Sequence, residues 1–373
     1  MLSSQLYATT DILPVAGLDR LAEHLPNTWI EQALAATGTA SIRRRRLPAE
    51  QVVWLVIGLA IYRRQSMPEV LATLDLALSV ASEQAVSKSA VTQARQRLGA
   101  KPLAQLFDQT ARAWCQQDAG IHAWKGLSLW AMDGTTFRTP DSADNRAHFG
   151  AQAYASGKVA SYPQVRAVSI TAIPTHLVSD IAFGTYAQNE MLYAKTLVGR
   201  IADHSLTVFD RGFLCAEILL GLTQGGQERH YLIPAKSNTK WEVLSGSADD
   251  CLVRMRVSPQ ARAKAPELPE HWTARAIRMV SANGKQRVLL TSLLDRRRFK
   301  AEALAECYRR RWEIETSYRE LKQSMLGEAL TLRSQQPEGI EQEIWGALIA
   351  YNLVRLEMAK AAIEAKVEPT DLS

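Results

Sequence analysis

Four side chains able to do phosphoryl chemistry lie at helical spacing near residue 310. With Tyr308 as zero, Arg311, Glu315 and Lys322 stand at offsets of 3, 7 and 14. At about 100° per residue these offsets share a stripe roughly 60° wide, so one helix would present all four on one face. A carboxylate between cations and a phenol suits a site that holds a metal ion and a phosphate. The alternative is the solvated face of a charged helix, because seven other positions in the segment are charged or polar.

A long helix beginning near Lys300 must position this stripe. An apolar stripe runs beside it and predicts packing on a core: Cys307, Ile314, Tyr318, Leu321 and Met325. Residues 337–339, Pro-Glu-Gly, are expected to break the helix, and a last helix is predicted over about 340–365.

Two more carboxylates follow short apolar segments that are predicted to be buried strands. Asp133 follows residues 127–132 and Asp210 follows residues 206–209. Ligand chemistry in α/β sheets lies at strand ends, so we expect both acids at one edge of the sheet, with Glu315 beside them. Three carboxylates suit Mg²⁺ or Mn²⁺, and two such ions can activate the attacking oxygen and stabilise the leaving oxygen of a phosphodiester. The alternatives are a plain Asp-Gly-Thr turn at Asp133 and a helix cap at Asp210.

The first 125 residues have a helical pattern. Residues 90–99, after a Ser/Lys-rich break at 87–89, resemble the second helix of a helix-turn-helix. Gln93, Arg95 and Arg97 are the predicted DNA contacts on this helix. Its other side packs through Val91, Ala94 and Leu98, and Gly99 stops it. The alternative is an amphipathic surface helix with two arginines.

Strands and helices alternate after Gly126, which predicts an α/β layer with a mixed sheet. Residues 165–173 and 177–183 form a predicted hairpin around Pro174. Residues 236–286 are charged, contain three prolines and alternate in polarity, so we interpret them as a β-rich insertion.

The composition allows a globular protein of two or three domains. The 373 residues carry a net charge of +6 and a pI of about 9.1, which is compatible with nucleic acid. Basic residues concentrate at 43–46 and at 296–333; the second stretch contains ten Lys and Arg but only six acids. The four cysteines are far apart, which argues against a zinc knuckle or disulfide framework. The longest apolar segment, residues 52–62, is too short to span a bilayer. With no signal peptide pattern, we expect a cytoplasmic protein without a membrane partner.

With these motifs the chain resembles DDE transposases of the bacterial insertion-sequence-four group, in the RNase H-like superfamily. The resemblance is carried by residues 132–135 (Met-Asp-Gly-Thr), 209–213 (Phe-Asp-Arg-Gly-Phe) and the Tyr-x2-Arg-x3-Glu-x6-Lys signature that ends at Lys322. The signature is highly specific, and the other two motifs are weak alone. The flanks at 25–107 and 333–355 resemble the group's helical N-terminal domain and closing helices.

The resemblance implies a role for each matching residue. Asp133, Asp210 and Glu315 would be the catalytic ligands of two Mg²⁺ ions, for which Mn²⁺ can substitute. Tyr308, Arg311 and Lys322 would contact DNA phosphates near the cut, and we count Arg319 with them. The implied reaction is hydrolysis at the terminal inverted repeats of the element, then attack of the freed 3′-hydroxyl on target DNA. The partner would be double-stranded DNA, bound by a homodimer associated with the nucleoid.

The implied fold is an RNase H-like mixed-sheet catalytic core behind an all-helical N-terminal DNA-binding domain. We expect that domain over 1–125, the core over 126–235 and 287–373, and the insertion between its two parts. In relatives a tryptophan of the insertion can accept a flipped base, but for Trp241 and Trp272 a core role is favoured. The chain ends at Ser373, where relatives commonly have a further helical tail. This short end leaves open a shortened or repurposed DNA-binding protein without catalysis, and a separate alternative is a metal-dependent nuclease of the same superfamily without preference for element ends.

Overall fold

The fold is seen in a computed structural model of the chain. It describes residues 20–40, 47–77, 87–119, 121–154, 157–280, 284, 286–325 and 331–372. The basic cluster at 43–46 lies outside the described residues. Within the described ranges, no helix has the length and apolar character needed to cross a bilayer.

In the N-terminal residues that the structure describes, five helices have defined bounds, in agreement with the predicted helical character. They are α1 (Asn27–Ala36), α2 (Ala49–Ile61), α3 (Met67–Ala77), α4 (Lys88–Leu98) and α5 (Lys101–Ala119). Helix α2 is buried from Val52 onward and packs against the last helix, α12 (Pro337–Ala365). A Cβ on Gly346 of α12 would come within 2.7 Å of a Val56 methyl, so only glycine allows this close approach. The first and last helical parts of the chain therefore share one core.

Within the described residues, nine strands form a single mixed sheet, which confirms the α/β prediction. They are β1 (Ser128–Arg138), β2 (Gln164–Ala172), β3 (Val178–Thr185), β4 (Ser205–Phe209), β5 (Arg229–Pro234), β6 (Glu242–Gly246), β7 (Asp250–Arg256), β8 (His271–Val280) and β9 (Gln286–Thr291). Their order is β3-β2-β1-β4-β5-β9-β8-β7-β6. Strands β1, β4 and β5 run parallel, and the other neighbours are antiparallel. This topology fits the expected RNase H-like core.

Helices cover both faces of the sheet. They are α6 (Ala143–Phe149), α7 (Glu190–Val198), α8 (Ala216–Gln224), α9 (Pro259–Lys264), α10 (Ala301–Arg309) and α11 (Trp312–Glu320). Leu129 and Ala131 of β1 share a buried cluster with α10 and α11, whereas Trp130 and Met132 belong to the cluster on the other face. Because side chains alternate along a strand, Asp133 faces the α10–α11 layer.

The predicted insertion extends the sheet. Its strands β6, β7 and β8 continue from β9, and α9 packs beside them. Arg275 of β8 is almost fully buried; it pairs with Asp250 at 2.7 Å and donates to the Phe299 carbonyl at 2.6 Å. Trp241 and Trp272 are partly buried and pack against the main core, which agrees with the favoured core role.

Two helix predictions are wrong in detail. The long helix expected from Lys300 divides into α10 and α11 at a tight turn through Arg310 and Arg311, and a π-helical segment, Leu321–Met325, follows α11. The last helix begins at Pro337 rather than near residue 340. Proline fits the first turn of a helix because its missing N–H would have no intrahelical partner there.

Candidate active site

Asp133 lies within strand β1 and not after its end, contrary to the prediction. Strand β2 pairs with β1 as far as Arg138, whereas the parallel strand β4 stops where Phe209 pairs with Met132. The next residues in this register are Asp133 and Asp210, which are therefore neighbours. A turn at Asp133 is also excluded, since residues 133–135 are extended and paired.

Asp210 caps the turn that follows β4. Its Oδ2 accepts the backbone N–H of Gly212 at 2.9 Å, at the start of the short 3₁₀ segment Arg211–Phe213. The capping alternative is thus correct. It does not exclude a catalytic role, because a carboxylate has lone pairs beyond the one used for the cap.

Arg311 links the strand acid to the helix acid. One guanidinium nitrogen donates to Asp133 Oδ2 at 3.2 Å and another to Glu315 Oε1 at 2.6 Å. The break between α10 and α11 places Arg311 at the start of α11, one turn before Glu315. One partly buried guanidinium therefore pairs with two of the three predicted catalytic carboxylates and offsets one of their two charges.

Asp133 lies close enough to Asp210 and Glu315 for both to affect its pKa. Burial raises the pKa of Asp133 to about 6; the Gly134 N–H and Arg311 lower it, while Asp210 and Glu315 raise it further. Among the residues that the structure describes, no three His, Cys, Asp or Glu side chains already stand close enough to hold a metal ion. Carboxylate oxygens nevertheless fit a hard divalent cation. Asp133 and Glu315 both accept from Arg311, whose guanidinium lies between these two acids.

Two residues near Asp133 were missed by sequence reasoning. The buried Tyr318 hydroxyl donates to the Asp133 carbonyl at 2.6 Å and contacts Ser169 Oγ at 2.8 Å. The apolar pattern predicted its burial correctly but carried no sign of these bonds. A Cβ on Gly134 would come within 2.6 Å of the Glu190 carboxyl carbon, so this glycine allows Glu190 to approach the strand beside Asp133. The only sequence signal was Asn189, the cap at the start of α7.

The four residues of the predicted stripe do not all lie at the acids: Lys322 lies apart from the other three. Tyr308 is buried near Arg311 and Asp210; burial raises the pKa of Tyr308, Arg311 lowers it and Asp210 raises it. Lys322 lies farther along β1, with Nζ 6.0 Å from the Phe137 ring centroid. Burial and then Arg138 lower the pKa of Lys322. Fourteen residues separate Tyr308 from Lys322, and at 1.5 Å per residue this is about 21 Å along a helix, so one end of the stripe lies at the acids and the other does not.

A buried histidine holds α11 in position. His176 contacts Glu313 at 3.1 Å and Glu320 at 3.2 Å, on either side of Glu315 along the helix. Glu320 also accepts the Tyr351 hydroxyl at 2.8 Å and lies 3.6 Å from Arg355, both on α12. These contacts fix the orientation from which Glu315 faces β1.

The predicted DNA contacts outside this centre differ in exposure. On α4, Gln93 and Arg97 are exposed, but Arg95 turns toward α12 and donates to Gln342 at 2.8 Å. Arg319 is exposed and donates to Thr316. Trp312, which sequence reasoning did not select, is 60% exposed at the start of α11. Helix α4 begins at Lys88, two residues before the predicted start at residue 90, with Ser87 as its cap, and it ends as predicted before Gly99, whose φ is 67°.

Comparison with known proteins gives consistent matches. Residues 15–108 match the family described as "Insertion element 4 transposase N-terminal", and residues 124–353 match "Transposase DDE domain". The chain is 40% identical over 350 residues to the transposase InsG for insertion sequence element IS4 of Escherichia coli strain K12, covering 94% of this chain and 78% of that protein. It is 36% identical over 239 residues to the putative transposase InsZ of the same organism, covering 62% and 77% respectively. A cryo-EM structure of the piggyBac transposase synaptic complex with hairpin DNA aligns over 92% of this chain and 74% of that chain, with a TM-score of 0.44 and 10% identity.

Proposed function

We propose a site and a mechanism for this chain, which belongs to the IS4 family of DDE transposases. Such enzymes cleave DNA and transfer its strands, and the DDE domain implies dependence on a divalent metal ion. The proposed reaction is cleavage at the terminal inverted repeats of the chain's own element, then attack of the freed 3′-hydroxyl on target DNA.

We assign catalysis to Asp133, Asp210 and Glu315, as ligands of two Mg²⁺ ions. The observation that carries this assignment is the parallel β1–β4 register, which makes the two aspartates neighbours, together with the Arg311 bridge from Asp133 to Glu315. Bound there, the ions would activate the attacking oxygen and stabilise the leaving oxygen of an in-line displacement. Arg311 orients the carboxylates of Asp133 and Glu315, and the Gly212 N–H orients that of Asp210.

Arg311 has a double role in this proposal. Without metal it compensates the charge of Asp133 and Glu315, at 3.2 and 2.6 Å. If a metal ion took over that charge compensation, the guanidinium could donate two parallel hydrogen bonds to two oxygens of a DNA phosphate. Tyr308, buried beside Arg311, limits where that guanidinium can go.

The remaining DNA contacts follow from exposure and charge. Lys322 would bind a phosphate farther along β1, and the exposed Trp312 offers a surface on which a base can stack. Arg319, Gln93 and Arg97 would contact the DNA from α11 and α4. We further propose that residues 1–125 are the DNA-binding domain, that 126–235 and 287–373 form the catalytic core around the 236–286 insertion, and that a homodimer brings two element ends together at the nucleoid.

A cleavage assay tests the assignment. A plasmid with the native flanks of the gene is incubated with Mg²⁺ or Mn²⁺ and the wild type, Asp133→Asn, Asp210→Asn or Glu315→Gln. We expect metal-dependent cleavage at both flanks by the wild type only. Asp180→Asn is the matched control, because burial also raises the pKa of this carboxyl to about 6 but it lies on β3 and pairs with Arg200. Cleavage by the three variants at the wild-type rate would contradict the assignment, and binding to the flanks without any cleavage would contradict the proposed reaction.

A further inference from the structure

A second cationic site lies between the N-terminal helices and the last helix. A cavity of about 510 Å³ opens between α2, α3 and α4 on one side and residues 332–335 with α12 on the other. Its inner wall is apolar, from α2 and α12. Arg63, Arg95 and Arg333 line the cavity, and we call this place the arginine pocket.

Positive charge in the arginine pocket exceeds the negative charge. Of the described residues that line it, Glu343 is the one acid, against the three arginines and Lys88. Glu343 lies 3.6 Å from Arg63 and 4.0 Å from Arg95, and it accepts the backbone N–H of Arg333 at 2.8 Å. Burial, and then the neighbouring Arg63, lower the pKa of Arg333 to about 10. Repulsion among the partly buried guanidinium groups would be relieved by a bound anion.

The arginine pocket continues a line of cations from the catalytic centre. Strand β1 runs from Asp133 to Arg138, five residues or about 17 Å at roughly 3.4 Å each. Lys322 lies beside this end of the strand. The Arg138 carbonyl also accepts the N–H of Leu332 at 2.9 Å, and Arg333 follows directly. DNA rises about 3.4 Å per base pair, so 17 Å corresponds to roughly five base pairs.

We propose that the arginine pocket binds a phosphate group and that the backbone of element-end DNA supplies it, five or more base pairs from the cut. This rests on the proposed function. Guanidinium groups suit the geometry of phosphate oxygens, and the direction of β1 places the pocket where a duplex leaving the catalytic centre would pass. Free inorganic phosphate has the same chemistry and is the other source to be distinguished.

The test pairs one arginine with one phosphate. In the wild type and Arg333→Gln, the phosphates of an element-end duplex are replaced one at a time by neutral methylphosphonate, and binding is measured. We expect wild-type affinity to fall about tenfold at one position five or more base pairs from the cut. Arg333→Gln should bind about tenfold more weakly, show no further loss at that position, and have a salt slope smaller by about 0.9.

A variant that removes negative charge from the arginine pocket distinguishes a phosphate-binding role from a purely structural one. Glu343→Gln removes the opposing charge at nearly constant size, and we expect it to tighten DNA binding several-fold; a purely structural role would give no gain. Lys360→Gln, an exposed change on α12, removes one charge outside the pocket and should keep the wild-type profile.

A thermal-shift titration with inorganic phosphate identifies the source. Stabilisation of the wild type but not of Arg333→Gln, with identical methylphosphonate profiles, would keep the phosphate site but overturn DNA as its source. Identical DNA profiles with no differential phosphate effect would overturn the whole inference, even if cleavage at the ends is normal. Failure of the wild type to bind any element end would instead count against the proposed function, while the phosphate titration would still decide whether the pocket binds this anion.

Discussion

Replacing Asp133 by asparagine should stabilise the metal-free protein at neutral pH. The pKa of Asp133 is about 6 in the folded chain, against 3.8 for the ordinary group. Between these values the folded state holds more protons than the unfolded state, so the free energy of unfolding falls as pH rises from about 4 to 6 and stays low above 6. A difference of about 2 pKa units corresponds to about 3 kcal/mol. Because the side chain is 21% exposed, we expect on the order of 2 kcal/mol.

Urea unfolding in the presence of a chelator measures this difference. The substituted asparagine cannot titrate, but it retains an oxygen for the Gly134 N–H, which Asp133 binds at 2.7 Å. The variant and the wild type should be similarly stable near pH 4, and the variant should be more stable by about 2 kcal/mol at pH 7.5. Added Mg²⁺ should then stabilise the wild type more than the variant. A variant less stable than the wild type at pH 7.5 without metal would refute the reasoning, since it would show that this carboxylate supports the fold.

Three further substitutions test the surroundings of the site. Lys322→Gln should weaken binding to element-end DNA and reduce the slope of log affinity against log salt concentration by about 0.9, because one phosphate contact is lost. Filter binding at several salt concentrations measures this, with Lys360→Gln as the charge-matched control. Trp312→Ala should leave the free energy of unfolding within about 0.5 kcal/mol, because the ring is 60% exposed, but weaken single-stranded DNA binding by about 1–3 kcal/mol in a fluorescence titration. His176→Gln should lower the free energy of unfolding by about 1–3 kcal/mol, since Glu313 loses its partly buried partner. It should also slow single-turnover cleavage more than it weakens DNA binding. Cleavage at the wild-type rate would contradict a positioning role for this histidine.

The sequence predicted the elements of the fold better than their ends. Strands and amphipathic helices follow from local periodicity, so the mixed sheet, α4 and the apolar side of α11 could be predicted. The extension of β1 beyond Asp133 could not, because it depends on pairing with β2, which lies more than twenty residues later. The division at Arg310 was also hidden, since both arginines there are compatible with a continuous helix.

The candidate site shows the same limit. The types and spacing of Asp133, Asp210 and Glu315 could be selected from sequence, as could Arg311. The Tyr318 bond and the approach of Glu190 to Gly134 could not, because they join segments distant in sequence and leave no periodic signal. The arginine pocket likewise needs residues from both ends of the chain.

The continuous nine-stranded sheet also has a consequence for the timing of synthesis. Strand β9 pairs with both β5 and β8, so the sheet becomes continuous only after β6, β7, β8 and β9 have all been synthesised. Glu315 lies 315 − 210 = 105 residues after Asp210. At about 5–20 residues per second, a ribosome delivers Glu315 roughly 5–20 seconds after Asp210. During that interval a nascent chain contains both strand aspartates but not the third acid, so cleavage activity should begin only after Glu315 and the helix that carries it have been synthesised.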